Sequence, residues 1–115
     1  MKLPNGDKAV VLIEKLDGYS LNPEHGRGKH KARVFMRALG IGQGHAAMLK
    51  QVLLEQAQTS EAIKIGSNEY GDHYFLDFIF EHEGKKAELR SKWTIRTGEN
   101  FPRLGSCYVK RRIKE

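Results

Sequence analysis

At 115 residues, with 39% apolar and 30% charged side chains, the chain has the size of one compact domain, residues 1–115, and too little sequence for two independent cores. No run approaches the roughly 18 consecutive apolar residues of a membrane span, and the opening MKLPNGDKAVV lacks the apolar stretch of a signal peptide. A lone cysteine, Cys107, excludes an internal disulfide and a multi-cysteine metal site, so the expectation is a cytoplasmic protein in a reducing compartment.

Twenty Lys and Arg against fourteen Asp and Glu give a net charge of +6, and the excess is local. Residues 25–54 hold six basic side chains and no acid, and residues 100–115 hold five basic side chains and one acid, Glu115. The rest of the chain is slightly acidic. Two such segments suit a polyanion if the fold brings them together, because each phosphate neutralised releases counterions. A solvated surface that keeps a small protein soluble is the alternative.

In chain order, Val10, Val11, Ile13, Leu16, Tyr19 and Leu21 suggest a brief helix ending at Asn22-Pro23. Ala32, Phe35, Met36 and Leu39, spaced i, i+3, i+4, i+7, predict a second helix, which Gly40 and Gly42 stop. Ala46, Leu49, Val52, Leu53 and Ala57 predict a third, from about residue 44 to 58. After Thr59 the period moves towards 2 and β-branched and aromatic residues increase, which predicts strands at about 62–69, 72–82, 86–97 and 103–112. Short connections between them make a four-stranded antiparallel meander. The fold class is therefore α+β: about three N-terminal helices packed on one face of the sheet. In the third strand Leu89, Ser91, Trp93 and Ile95 point to that face, while Glu88, Arg90, Lys92, Thr94 and Arg96 line the open one.

Several chemistries lack their residues. There is no P-loop, and Gly40-Ile41-Gly42-Gln43-Gly44 follows a helix rather than a strand, so it reads as a helix–helix turn. Among His25, His30, His45, His73 and His82 there is no i, i+4 pair and no cysteine partner, so no dedicated zinc site is expected. His73 and His82, beside turns, read as solvated. The densest set of reactive side chains is residues 22–31, with His25, His30, Arg27, Lys29 and Lys31 among two glycines. It ends at the start of the second helix, where backbone N–H groups and the helix dipole favour an anion. The bland reading is that the histidines fill loop positions and the lysines are solvated.

The segments LPNGDKAVV, LNPEHGRGKHKARVF with ALGI after it, YG at the first strand turn, and W-x-I-x-x-G-x-x-F-P-R-L-x-S-x-Y resemble a group of short bacterial domains of unknown function. Such domains occur alone in toxin–antitoxin-like pairs and at the ends of larger toxin proteins. The order of helices and strands is also similar to metal-independent ribonuclease toxins of the barnase, colicin and RelE type. The resemblance runs from Leu3 to Tyr108. It implies that His25 and Lys31 match polar residues of the family's approach to the second helix, and that Trp93, Arg103, Ser106 and Tyr108 match its last two strands. Ser106 stands where relatives usually carry threonine, and Gly26 where they often carry proline.

What this implies is an endoribonuclease toxin that uses no metal and no cofactor: a ribose 2′-oxygen attacks the adjacent phosphorus and leaves a 2′,3′-cyclic phosphate. His25 or His30 would be base or acid. Lys31, Arg103 and Arg90 would serve the phosphate, with Lys29 and Arg33 on the strand beside it. Ser106 and Thr94 would position it, and Tyr108 would stack on a base or donate a proton. The partners implied are RNA and a small acidic antitoxin or immunity protein, with no membrane. The alternative is a non-catalytic basic module that holds nucleic acid or an acidic protein. A further bland reading puts Ser106 and Tyr108 in the core.

Overall fold

The computed structural model describes residues 1–113; Lys114 and Glu115, which the charge of the last segment includes, lie outside the described residues. The order is helical turns, two α-helices and four strands. Helix α1 spans Lys29–Leu39 and α2 spans Ala46–Thr59. The strands are β1 (Ala62–Asn68), β2 (Gly71–His82), β3 (Lys85–Arg96) and β4 (Pro102–Ile113). They form one antiparallel sheet in the order β1-β2-β3-β4, the predicted meander.

The predicted first helix is instead a string of tight turns. Residues Ile13–Lys15 make a 3-10 turn and Leu16–Ser20 a single π-helical turn, after a 3-10 turn at Gly6–Lys8. Only Val11, Leu16 and Leu21 of its apolar residues are fully buried, too sparse a stripe to seat an α-helix. What the segment does is line the sheet edge: Val10 lies parallel to Arg103, donating its N–H to the Pro102 carbonyl at 2.9 Å and accepting from the Leu104 N–H at 3.0 Å.

Helix α1 buries Ala32, Phe35, Ala38 and Leu39, and α2 buries Ala46, Leu49, Leu53 and Ala57. Met36, expected in the α1 stripe, is half exposed, and Ala38 takes its place because the helix is rolled towards β3 and β4. The predicted stop holds: Gly40, at φ 68°, closes α1 by donating its N–H to Met36. On the sheet, Tyr74, Leu76 and Phe78 of β2, Ala87, Leu89 and Trp93 of β3, and Leu104 and Cys107 of β4 complete one core cluster. Burial pushes the Cys107 thiol up to about 12, against the nearby charge of Lys31, so it is a small hydrophobe.

The turn joining β1 to β2 is held rigidly. Gly71 sits at φ 139°, and a Cβ there would collide with the carbonyl of Ile95 on β3. Gly71→Ala should therefore destabilise the fold by about 2 to 3 kcal/mol, from overpacking and backbone strain together. A urea midpoint equal to that of the wild type would contradict this.

Candidate functional site

The approach to α1 is built on His25. Its Nδ1 accepts the backbone N–H groups of Arg27 at 3.0 Å and Gly28 at 2.9 Å, so the neutral ring carries its proton on Nε2. Gly28 is buried against the carbonyl of Tyr19, where a Cβ would not fit. The His25 ring meets Tyr19 edge-on with centroids 4.8 Å apart. One turn into α1, the Lys31 ammonium donates to the Tyr19 hydroxyl at 3.0 Å and lies 5.6 Å from the centroid of the Tyr108 ring on β4. The α1 approach and the closing strand thus meet at one cation.

Strand β4 would not present its polar residues on one face without a bulge. Arg103 pairs with Thr94, and Ser106 with Lys92, although they are three residues apart; Gly105 is the extra residue. Arg103, Ser106 and Tyr108 therefore all share the open face with Arg90, Lys92 and Thr94. All three are half-buried, and the residues β4 sends to the core are Leu104, Cys107 and, in part, Val109. The reading of Ser106 and Tyr108 as core residues is thereby corrected. Tyr108 stands directly across from Arg90, and its phenol interacts with that guanidinium.

The open face is less basic than its β3 row suggests. Arg90 forms a forked pair with Asp77 at 2.9 and 3.0 Å, Lys110 reaches the same carboxylate at 3.0 Å, and Arg111 pairs with Glu88. Arg103 is likewise forked onto Glu99 at 2.9 and 3.0 Å. The Arg90 guanidinium, helped by Lys110 and opposed by burial, holds the Asp77 carboxyl below the usual range. A carboxyl depressed in the folded state adds stability above its unfolded value and loses it as pH falls. Stability should therefore drop from about pH 4 downwards. In Asp77→Asn the difference in urea midpoint between pH 7 and pH 3 should shrink; an unchanged difference would show that the pair does not report on folding.

Two adjoining hollows flank the cluster and share Leu12 and Lys15. One, of about 520 Å³, includes Tyr19, His25 and Arg27. The other, of about 270 Å³, is lined by Lys15, Tyr70, His73, Thr94, Arg96 and Arg103 among apolar neighbours. His73 is not solvated as expected: Nδ1 lies 2.9 Å from Thr94 Oγ1 and Nε2 lies 3.0 Å from Asn68 Oδ1. Nor is His82, which is half-buried with Nδ1 2.8 Å from the Leu39 carbonyl at the end of α1. Both lie where long-range strand pairing carries them against another element.

The fold thus joins His25 and Lys31 to Tyr19, brings Lys31 to Tyr108, which pairs across the sheet with Arg90, and places Thr94 with Arg103 in the smaller hollow. Ser106 sits on β4 between those two groups. It does not bring in the outer side of α1: His30 and Arg33 are exposed, Lys29 is half-buried, and Arg33 lines a separate hollow with Leu21, Pro23 and Met36. Sequence reasoning missed Tyr19, Lys15 and His73. For His73 a signal existed, since it alternates with Tyr74, Leu76 and Phe78 and so must face the open side. Among the described residues, no three His, Cys, Asp or Glu side chains converge in a way that could hold a metal ion, and no helix is long and apolar enough to cross a membrane.

A domain of unknown function, DUF6883, matches residues 2–111. The chain belongs to the DUF6883 family. The matched span of this DUF6883 domain contains both hollows and the whole Lys31 cluster. The domain is also similar in fold to a chain in the structure of a contact-dependent growth inhibition toxin–immunity protein complex from Klebsiella pneumoniae 342, with a TM-score of 0.64 and 18% identity over 88% of this chain and 99% of that one. At that identity the likeness is one of fold alone. No curated protein sequence matches this chain significantly.

Proposed function

We propose that the domain is a toxin that cleaves RNA in the cytoplasm by transesterification, without a metal ion. The 2′-oxygen attacks phosphorus and the bond from phosphorus to the 5′-oxygen breaks. A base takes the 2′ proton, an acid protonates the leaving oxygen, and a 2′,3′-cyclic phosphate and a 5′-hydroxyl result. The observation that supports this is the meeting of the α1 approach and β4 at Lys31. The ammonium spends one of its three N–H groups on Tyr19, leaving two to hold charge that builds on the phosphorane.

His25 presents Nε2 to the site, because Nδ1 accepts the loop N–H groups of Arg27 and Gly28. As the acid it gives that proton from the imidazolium, which forms when Nδ1 releases those N–H groups and takes up a proton, so that the ring returns to neutral after the transfer. His30, exposed on the outer side of α1 and outside the Lys31 cluster, serves as base only for a strand that crosses the first turn of that helix. Tyr108 offers a ring for base stacking, Ser106, Thr94 and Arg103 hold the neighbouring phosphate, and Lys29 and Arg33 attract the strand. The toxin role rests on the likeness in fold to a chain of a toxin–immunity protein complex, and it implies an acidic protein partner for the basic surface.

A second reading, a module that binds RNA or an acidic protein without cutting, is favoured by the structural use of His25 Nδ1 as a loop cap and by the forked pairing of Arg90 and Arg103. Incubating the purified protein with total RNA in EDTA separates the two. The nuclease should yield cyclic phosphate ends at an undiminished rate. Intact RNA, or cutting that depends on a divalent ion, would refute the proposed mechanism.

A further inference from the structure

The smaller hollow, in which Thr94 and Arg103 already hold a phosphate in the proposed function, also contains Lys15, Tyr70, His73 and Arg96, which those roles leave unused. The backbone N–H of Tyr70 donates to Asn68 Oδ1 at 2.9 Å, which identifies that atom as the carboxamide oxygen. An oxygen can only accept, so His73 Nε2, 3.0 Å away, must carry a proton in every protonation state. Nδ1 is then the one ring position that exchanges a proton, and it faces Thr94 Oγ1 at 2.9 Å. When the ring is neutral, the Thr94 hydroxyl donates to Nδ1. When it is charged, Nδ1–H donates to Thr94, and the hydroxyl proton is released to another acceptor.

That acceptor would sit in a hollow whose charge is positive. Lys15, Arg96 and Arg103 line it, and Glu99 is engaged by Arg103, which leaves two positive charges unbalanced. The other charged group near His73 is Asp72, held below the usual range chiefly by the Ser67 hydroxyl and also by Lys64. Tyr70, 69% exposed on a turn fixed by the Thr97 N–H and by Gly71, adds a ring face at the rim.

We infer that this hollow binds one nucleotide unit of a single RNA strand, with the phosphate against Lys15, Arg96 and the Thr94 hydroxyl and the base on Tyr70. The choice of RNA rests on the proposed ribonuclease reading; the hollow itself does not. A bound phosphate accepts a hydrogen bond from the Thr94 hydroxyl, turning it away from Nδ1, and so favours the charged form of His73. Binding and a proton on Nδ1 should therefore favour each other.

The test is a titration of the whole protein with a 2′-deoxy dinucleoside phosphodiester, read on the His73 ring protons by NMR. This probe keeps one charge from pH 5 to pH 8 and lacks the hydroxyl needed for cleavage. The His73 signals should shift saturably, with binding at least severalfold tighter at pH 5.5 than at pH 8. Lys15→Ala and Arg96→Ala should each weaken it about tenfold. Thr94→Val should abolish the pH dependence, whereas a merely structural threonine would not alter it. No shift, or a shift that survives both charge removals, overturns the inference, and inorganic phosphate binding as tightly as the dinucleotide overturns the nucleotide assignment. Cyclic phosphate ends from RNA without binding here would leave the nuclease reading standing and this site refuted. Binding here with intact RNA would do the reverse.

Discussion

Trp93→Ala should leave the domain largely unfolded at room temperature. The indole is fully buried at the centre of β3, and its Nε1–H donates at 2.9 Å to Ser91 Oγ, which itself donates to the Leu76 carbonyl at 2.8 Å. Truncating a buried tryptophan costs about 3 to 5 kcal/mol in lost transfer energy and cavity. Here it also strips a buried hydroxyl of its donor, which adds roughly 1 kcal/mol. The sum is comparable with the whole stability of a small domain, about 5 to 15 kcal/mol. With a urea slope of about 1 to 3 kcal/mol per molar, the midpoint should fall by about 2 M or more. A fall of less than about 0.5 M would mean that Trp93 does not anchor the core. Trp93→Phe, which fills part of the space but lacks the N–H, should lie between.

Lys31→Ala carries the largest expected functional effect. If the ammonium holds the charge of the phosphorane, its loss should slow RNA cleavage by about 10²- to 10³-fold, the range for removing one donor from an oxyanion site. Folding should change little, because the side chain is half-buried and leaves one hydrogen bond to Tyr19, worth about 1 kcal/mol. Single-turnover cleavage and a urea midpoint on the same sample check both halves. Cleavage at the wild-type rate would remove Lys31 from the site. A loss of activity that followed a matching loss of stability would assign it a role in packing.

The strands were legible because each is bounded by local signals. Glu83 and Gly84 both take positive φ, the geometry that a two-residue hairpin demands, and the β2–β3 pairing follows from it residue by residue. The α1 stripe was legible except in its rotation. Periodicity marks Met36 as apolar and in phase, and only packing against β3 and β4 shows that Ala38 is buried and Met36 is not. The first helix is misread because seven apolar residues in the twelve from Val10 to Leu21 satisfy a helical pattern, of which the fold fully buries only Val11, Leu16 and Leu21.

The candidate site divides in the same way. His25, Lys31, Ser106 and Tyr108 were found by residue type and resemblance, but strict alternation along β4 puts Arg103 on the face opposite Ser106. The Gly105 bulge, a single extra residue, reverses that and lines all three on one side. Tyr19 and His73 have near neighbours in His25 and Asn68, but the contacts that tie them to the site, Tyr19 with Lys31 and His73 with Thr94, form only across the fold, and Lys15 joins the hollows only there.

What the amino-acid order determines by itself is the list of elements, the apolar face of each strand and the two basic stretches, since all of these follow from neighbours along the chain. The tertiary structure alone decides which cations are already neutralised, as Arg90 is by Asp77, and which side chains share a hollow. Those depend on sheet register and on how α1 lies across the edge of β4, and both are settled by burying Trp93, Phe35 and their neighbours in one core rather than by any short-range preference.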